Sequence, residues 1–175
     1  MLHEMKLKSQ PFAQMKAGKK RVELRLYDEK RRKVKAGDTL RFTEIETGET
    51  LLAQVTAVKT FASFQALYAA YDKIELGYEQ GEPADPKDME QYYAPEEIAR
   101  YGAVGIELLV LGVYRHFKGG RYEVIALATH SETEETMVVY KALYGEGQVW
   151  VRPLKMWTET VVFEGKTVPR FALEE

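Results

Sequence analysis

Gly18-Lys19-Lys20-Arg21-Val22-Glu23-Leu24-Arg25 is the stretch that organises the first half of the chain. The glycine suits a helix stop, and alternation begins directly after it. Val22, Leu24 and Leu26 make one face of the predicted strand, and Arg21, Glu23 and Arg25 make the other. Lys20, Glu23 and Arg25 project near one junction. Arginine offers a two-pronged fork and lysine a point charge, so the set suits an anion or a polar planar ligand. The carboxylate is able to accept from a base amino group or to orient the cations. The competing reading of the same residues is an exposed ion pair across a strand, which contributes little.

Outward from this stretch the pattern is regular. Glu4–Lys8 alternates as a strand, and Pro11 opens a short helix with Phe12 and Met15 on one face. Ala36-Gly37-Asp38 is a turn before a strand at Thr39–Ile45, and Thr47-Gly48-Glu49 leads into Leu51–Lys59, a hairpin. Ser63 is placed to cap a helix carrying Phe64, Leu67, Tyr68 and Tyr71. Gly77 to Asp85 reads as a polar loop. Asp85-Pro86 opens a second helix with Met89 and Tyr93 on one face, and Pro95 a third that Gly102 ends. Val104–Leu111 reads as a buried strand. Beyond Gly112 the texture changes to short strands at Tyr114–Phe117, Tyr122–Thr129, Thr136–Ala142, Val149–Arg152 and Thr160–Phe163, the spacing of a small antiparallel barrel.

Composition bounds the function. The 175 residues are 45 % apolar and 30 % charged, which fits a folded chain. The absence of cysteine excludes disulfides, thiol nucleophiles and thiolate metal sites. No apolar run approaches the ~20 residues of a membrane span, and the start lacks a signal-peptide core, so a soluble cytoplasmic protein without membrane contact is expected. The net charge of −2 hides an asymmetry: residues 1–41 carry a net +8, residues 42–110 a net −9, and the remainder −1. The basic peak includes Lys30, Arg31, Arg32 and Lys33, residue types that bind phosphates. Its alternative role is a solvated, charged edge that pairs with the acidic segment.

Gly18-x-Lys20-x-x-Glu23-x-Arg25 resembles the G-x-K-x-x-E-x-R signature of ASCH domains. Pro11-Phe12 before it, Lys35-Ala36-Gly37-Asp38 after it and the closing Tyr101-Gly102-Ala103-Val104-Gly105-Ile106-Glu107-Leu108 agree with that resemblance. The resemblance implies a PUA-like β-barrel with packed helices over residues 1–110. It also implies a cleft lined by Lys20, Glu23 and Arg25, with Ser9 and Phe12 as weaker candidates at the neck of the first helix. RNA binding is the usual expectation for such domains. Some small relatives hydrolyse N4-acylated cytidines with a Lys, a Thr and a Glu, and others are associated with RNA cleavage. This chain keeps the lysine as Lys20 but has Glu23 where the hydrolase branch has threonine. Glu107 is a further candidate carboxylate or a solvated edge residue.

In the second half, Tyr114-Arg115-His116-Phe117-Lys118-Gly119, His130-Ser131-Glu132-Thr133, Val138-Val139-Tyr140, Leu143-Tyr144 and Trp150-Val151-Arg152-Pro153 with Met156-Trp157 resemble the DUF1653 family over residues 112–171. That family brings no biochemical role. His116, His130 and Glu132 do not match a zinc spacing, and no metal is expected. Two readings remain for these side chains. One is a hydrogen-bonded network of Arg115, His116, Glu132, Thr133 and Arg152 inside a small barrel. The other is a recognition surface of Tyr140, Tyr144, Trp150 and Trp157 beside Arg152, with most of these rings in the core.

The expected fold class is α+β, mostly β: a PUA-like domain at 1–110 followed by a small SH3-like barrel at 111–175. The expected function is binding of RNA or a nucleotide in the Lys20–Glu23–Arg25 cleft with a basic rim at 30–35 and no cofactor. The alternative is a small hydrolase, with Lys20 and Glu23 catalytic, acting on a modified nucleoside or on RNA.

Overall fold

A computed structural model describes residues 1–174. The chain divides into two compact units, at Leu109/Val110. The first begins with β1 (Leu2–Leu7), α1 (Ser9–Lys16), β2 (Val22–Leu26), a 3-10 turn at Arg31–Lys33, β3 (Thr39–Glu44) and β4 (Thr50–Phe61). It continues with α2 (Phe64–Ala70), α3 (Lys73–Leu76), a 3-10 turn at Pro86–Gln91, α4 (Pro95–Tyr101) and β5 (Ala103–Val110). The strands form one curled sheet in the order β1-β3-β4-β5-β2. β1 runs parallel to β3, and β2 pairs antiparallel with β5. The two strands of the opening stretch and the chain start are thus the two edges of the sheet.

Alternation in β2 positions the site. Val22, Leu24 and Leu26 pack with Phe64, Leu67, Leu76, Met89 and Ala103 in one apolar cluster. Their burial under α2, α3 and the Pro86 turn fixes the register, because a slip of one residue would bury Arg21 instead. Glu23 and Arg25 are then forced to the other face of the sheet. The second and third helices start on side-chain caps: Ser63 Oγ accepts from Ala66 N at 3.2 Å, and Asp72 Oδ1 accepts from Ile74 N at 2.8 Å. α3 interrupts the region that the sequence presents as tail and loop. The Asp85-Pro86 segment is a 3-10 turn rather than a full helix, capped by Asp85 on Lys87 N at 2.9 Å.

A carboxylate holds the β3–β4 turn. Glu44, 3 % exposed, accepts from Ser9 Oγ at 2.8 Å and from the amides of Glu46 and Thr47. Hydrogen bonds from Thr47 first, then from Glu46 and Ser9, lower its pKa to about 2. A depressed folded-state value stabilises the fold above the unfolded carboxyl pKa of about 4.3, and that contribution disappears as pH falls towards 2. Glu44→Gln is expected to flatten the loss of thermal stability between about pH 4.5 and pH 2, followed by circular dichroism.

The second unit contains β6 (Val113–His116), β7 (Arg121–Thr129), β8 (Thr136–Ala142), β9 (Val149–Pro153), α5 (Leu154–Thr158), β10 (Thr160–Phe163), β11 (Lys166–Pro169) and β12 (Phe171–Leu173). Five strands pair antiparallel in the order β12-β6-β7-β8-β9, and β10 and β11 form a separate hairpin. α5, β11 and β12 are additions to the strands read from sequence. They lie in Leu154–Leu173, where short apolar pieces carry no sustained period.

Candidate functional site

Three charged side chains from one turn and one strand are drawn out of water together. Lys20 is 3 % exposed and Glu23 1 %, so the exposed-pair reading of these residues does not hold. Glu23 Oε1 pairs with Arg25 Nη1 at 2.7 Å. Arg25 Nη2 donates to Lys6 O at 3.0 Å, which ties β2 to β1 across the open side of the sheet. Lys20 Nζ donates to Val22 O at 2.7 Å and to Leu76 O at 2.9 Å. It lies 3.4 Å from Glu23 Oε2, an ion pair too long for a good hydrogen bond. Glu23 Oε2 is buried and accepts no hydrogen bond from the described residues, which leaves one anionic oxygen of the set unspent.

Burial pushes the Lys20 pKa below the ordinary lysine value; Glu23 opposes this, and Arg25 adds to it. The surroundings nevertheless suit the charged form. Two carbonyls and one carboxylate oxygen face three N–H bonds, and a neutral amine would aim its lone pair at one of them. Arg25 moves the other way: burial works against its charge, but Glu23, then Tyr93 and Tyr92, raise its pKa overall.

Gly77 explains how α3 closes on the lysine. Its φ is +103°, and a Cβ there would lie 2.9 Å from Lys20 Cδ. The absent side chain lets the end of α3 lie on the Lys20 stem, with the Leu76 carbonyl over the ammonium. Gly77→Ala is expected to cost about 1–2 kcal/mol for the left-handed backbone alone. The clash with Lys20 adds to this, and chemical unfolding measures the sum.

The set lines a cleft of about 890 Å³. Its lining includes the basic Lys6, Lys8, Arg25, Lys30 and Arg31, the acidic Glu4, Glu82 and Asp88, and Tyr68, Tyr78, Tyr92 and Tyr93, of which Tyr93 stacks on Phe64 at 6.0 Å. Tyr68 Oη and Tyr78 Oη are 2.8 Å apart, and Tyr78 Oη donates to Asp88 Oδ2 at 2.7 Å. Burial, then the hydrogen bonds with Tyr68 and Asp88, push the Tyr78 pKa up, so it stays a phenol. Lys8 Nζ sits 4.6 Å from the Tyr92 ring centre, a cation–π contact within this lining. The acidic segment therefore contributes to the lining of the cleft.

Other candidates fall outside the lining. Ser9 is committed to Glu44, and Phe12, 3 % exposed, is core. Arg32 and Lys33 lie beside the cleft but do not line it; Arg32 Nε donates to Tyr27 O at 3.2 Å. Arg31, on the lining, pairs with Asp28 at 2.8 Å. Glu107 pairs directly with Val22 across the sheet, so it shares the face opposite Glu23, where it binds Lys59 and Tyr71. The tyrosine lining is what sequence reading missed. Six of eleven tyrosines fall between residues 68 and 101; helical periodicity places Tyr68, Tyr71 and Tyr93 on apolar faces, and Tyr68, Tyr78 and Tyr93 do pack against the core while also lining the cleft.

In the second unit the five-residue network does not form. Arg115 and Arg121 both pair with Glu174. His116 lies against the rings of Phe117 and Phe171, at 4.3 and 4.8 Å between centres. His130 Nδ1 accepts from the amides of Glu132 and Thr133 in the β7–β8 turn, and Glu132 is exposed. His116 faces the start of β7 while His130 follows its end, a strand of 9 residues and so roughly 30 Å away. Among the described residues no group of three His, Asp or Glu side chains is arranged to hold a metal ion. No helix among them is long and apolar enough to cross a membrane. Tyr140 and Trp157 are 5 % and 1 % exposed, whereas Tyr144 and Trp150 are 55 % and 50 % exposed.

Comparison with known proteins agrees with this division. The ASCH domain model matches residues 5–112, and the model of DUF1653, a family of unknown function, matches residues 112–173. No curated protein matches the chain. The crystal structure of hypothetical protein PH0355 is 31 % identical, with a TM-score of 0.55, over 63 % of this chain and all of that one. The solution structure of PF0455 from Pyrococcus furiosus is 32 % identical over 63 % of this chain and 98 % of that one, with a TM-score of 0.48. A DUF1653 protein from Bordetella bronchiseptica is 42 % identical over 37 % of this chain and 85 % of that one, with a TM-score of 0.35. With its signature lysine, glutamate and arginine gathered in one cleft and the domain model matched over more than half its length, the chain belongs to the ASCH-domain family, followed in the same chain by a DUF1653 domain.

Proposed function

We propose that the first unit binds RNA or a nucleotide in the cleft between β1 and β2. The observation that carries this reading is that five cations and four tyrosines line one cavity of about 890 Å³. Phosphates suit the cations and a base suits the exposed Tyr92 ring, since aromatic rings stack on any base. Lys20, Glu23 and Arg25 form the floor, and Lys30 and Arg31 form the rim. The two carbonyls that accept from Lys20 Nζ and the Glu23 carboxylate beside it suit the ammonium form, which has no lone pair to act as base or nucleophile, and this favours binding over hydrolysis.

The test is fluorescence anisotropy of a short single-stranded RNA with the intact chain at 50 and 200 mM salt. If three phosphates are contacted, affinity is expected to fall roughly twenty-fold over that range. Lys30→Gln/Arg31→Gln, at an exposed lysine and a half-buried arginine of the rim, weakens binding and its salt dependence; Lys20→Ala/Arg25→Ala removes the cleft's share of it. Binding absent at low salt, coupled with release of cytidine from an N4-acylated cytidine, would replace this reading with the hydrolase.

A further inference from the structure

One face of the second sheet gathers rings and cations that the fold does not use up. Register places Tyr114, His116, Tyr122, Tyr140, Trp150, Arg152 and Phe171 on the same face, since directly paired residues point the same way. Phe171 is the hub. It stacks on Trp157 at 3.8 Å and lies 4.8 Å from His116, 5.8 Å from Tyr122 and 5.7 Å from the Arg152 guanidinium. Trp157 Nε1, buried within this cluster, has no acceptor among the described residues.

At the border of the hub the side chains turn outward. Tyr144 bonds Tyr122 through their hydroxyls at 2.6 Å yet is 55 % exposed. Trp150, directly opposite the buried Tyr140, is half exposed on the edge strand β9. Arg152 follows two residues later on the same face, roughly 7 Å along the strand. Its Nε donates to Tyr140 Oη at 3.4 Å. Lys118 lies over the Phe117 ring at 5.6 Å. Among the described residues neither Arg152 nor Lys118 pairs with a carboxylate, whereas Arg115, Arg121 and Arg170 all do. The local field is positive at His116: burial first, then Arg152, Arg170 and Lys118, lower its pKa.

We propose that this face is a second binding platform for single-stranded nucleic acid, in which Trp150 and Tyr144 stack bases while Arg152 and Lys118 meet phosphates. Exposed rings next to uncompensated cations are the combination that such strands require, a π-face for each base and a charge for each phosphate. An acidic peptide would use the cations but leave the rings without a role. The platform stands on residues of the second unit alone and does not depend on the cleft reading.

Both tryptophans lie in this unit, and only Trp150 is exposed, so its fluorescence reports the platform directly. The experiment titrates the intact chain carrying Lys30→Gln/Arg31→Gln with a twelve-nucleotide oligouridylate at 50 mM salt, with hexaglutamate as the competing arm. Saturable quenching is expected, weakened several-fold by Arg152→Gln and largely restored by Arg152→Lys. Labelled oligouridylate followed by anisotropy is expected to bind Trp150→Ala about ten-fold or more weakly. Quenching that ignores Arg152→Gln overturns the platform, as does quenching by hexaglutamate with none by RNA. An unsubstituted chain that binds no more tightly than the Lys30→Gln/Arg31→Gln variant, with the quenching intact, would instead fail the cleft and leave the platform standing.

Discussion

Glu23→Ala is expected to lower the unfolding free energy of the first unit by about 3–5 kcal/mol, the range for removing one partner of a buried ion set. The carboxylate is 1 % exposed and stands between Lys20 at 3.4 Å and Arg25 at 2.7 Å. Without it, two cations share a pocket with no anion to offset their desolvation. The loss is read from urea unfolding followed by far-ultraviolet circular dichroism. Tryptophan fluorescence reports only the second unit, because Trp150 and Trp157 both lie there. Glu23→Gln keeps an oxygen for Arg25 and is expected to lose less. A change below about 1 kcal/mol in the alanine variant would mean that the set behaves like an exposed pair, against the burial described above.

Lys20→Met is expected to cost a similar amount, about 3–5 kcal/mol. Methionine roughly fills the volume of the lysine stem, so the cost comes from polar groups and not from a cavity. Val22 O and Leu76 O lose their donor, and Glu23 loses one of its two cationic partners. Each buried acceptor left bare contributes about 1–3 kcal/mol. The double variant Lys20→Met/Glu23→Ala is expected to lose less than the sum of the singles by about 0.5–3 kcal/mol, the sign of direct coupling. Strict additivity would show that the two side chains act independently.

These two variants probe a site that was half legible in the sequence. Alternation from Val22 to Leu26 assigns Glu23 and Arg25 to one face, and the structure keeps that face. Alternation does not report burial on the second face of an edge strand. That burial arises because Arg25 reaches across to Lys6 O and α3 lies on the Lys20 stem. Both contacts join residues far apart in the chain, which local patterns do not encode. The tyrosine lining was hidden for a related reason. A tyrosine at helical spacing serves equally as core or as cleft lining, and the difference lies in where its hydroxyl ends.

In the second unit the strand spacing read from sequence matches β6 to β10. The chemistry did not follow from motif density. His116 and His130 stand near each other in the sequence pattern, but β7 separates them. Trp150 and Trp157 look alike in sequence, yet one sits on an edge strand and the other under it on α5. Edge position, set by the order β12-β6-β7-β8-β9, decides which tryptophan meets solvent.

Amide chemical-shift mapping tests the central proposal most directly. The intact, isotope-labelled chain is titrated with a single-stranded tetranucleotide at 50 mM salt. Within the first unit the account predicts saturable shifts concentrated at Lys6–Lys8, Arg25, Lys30, Arg31, Tyr92 and Tyr93, lost at high salt and in Arg25→Gln. Shifts that leave β1, β2 and the Tyr92–Tyr93 pair untouched while saturating elsewhere would contradict the cleft as the nucleic-acid site.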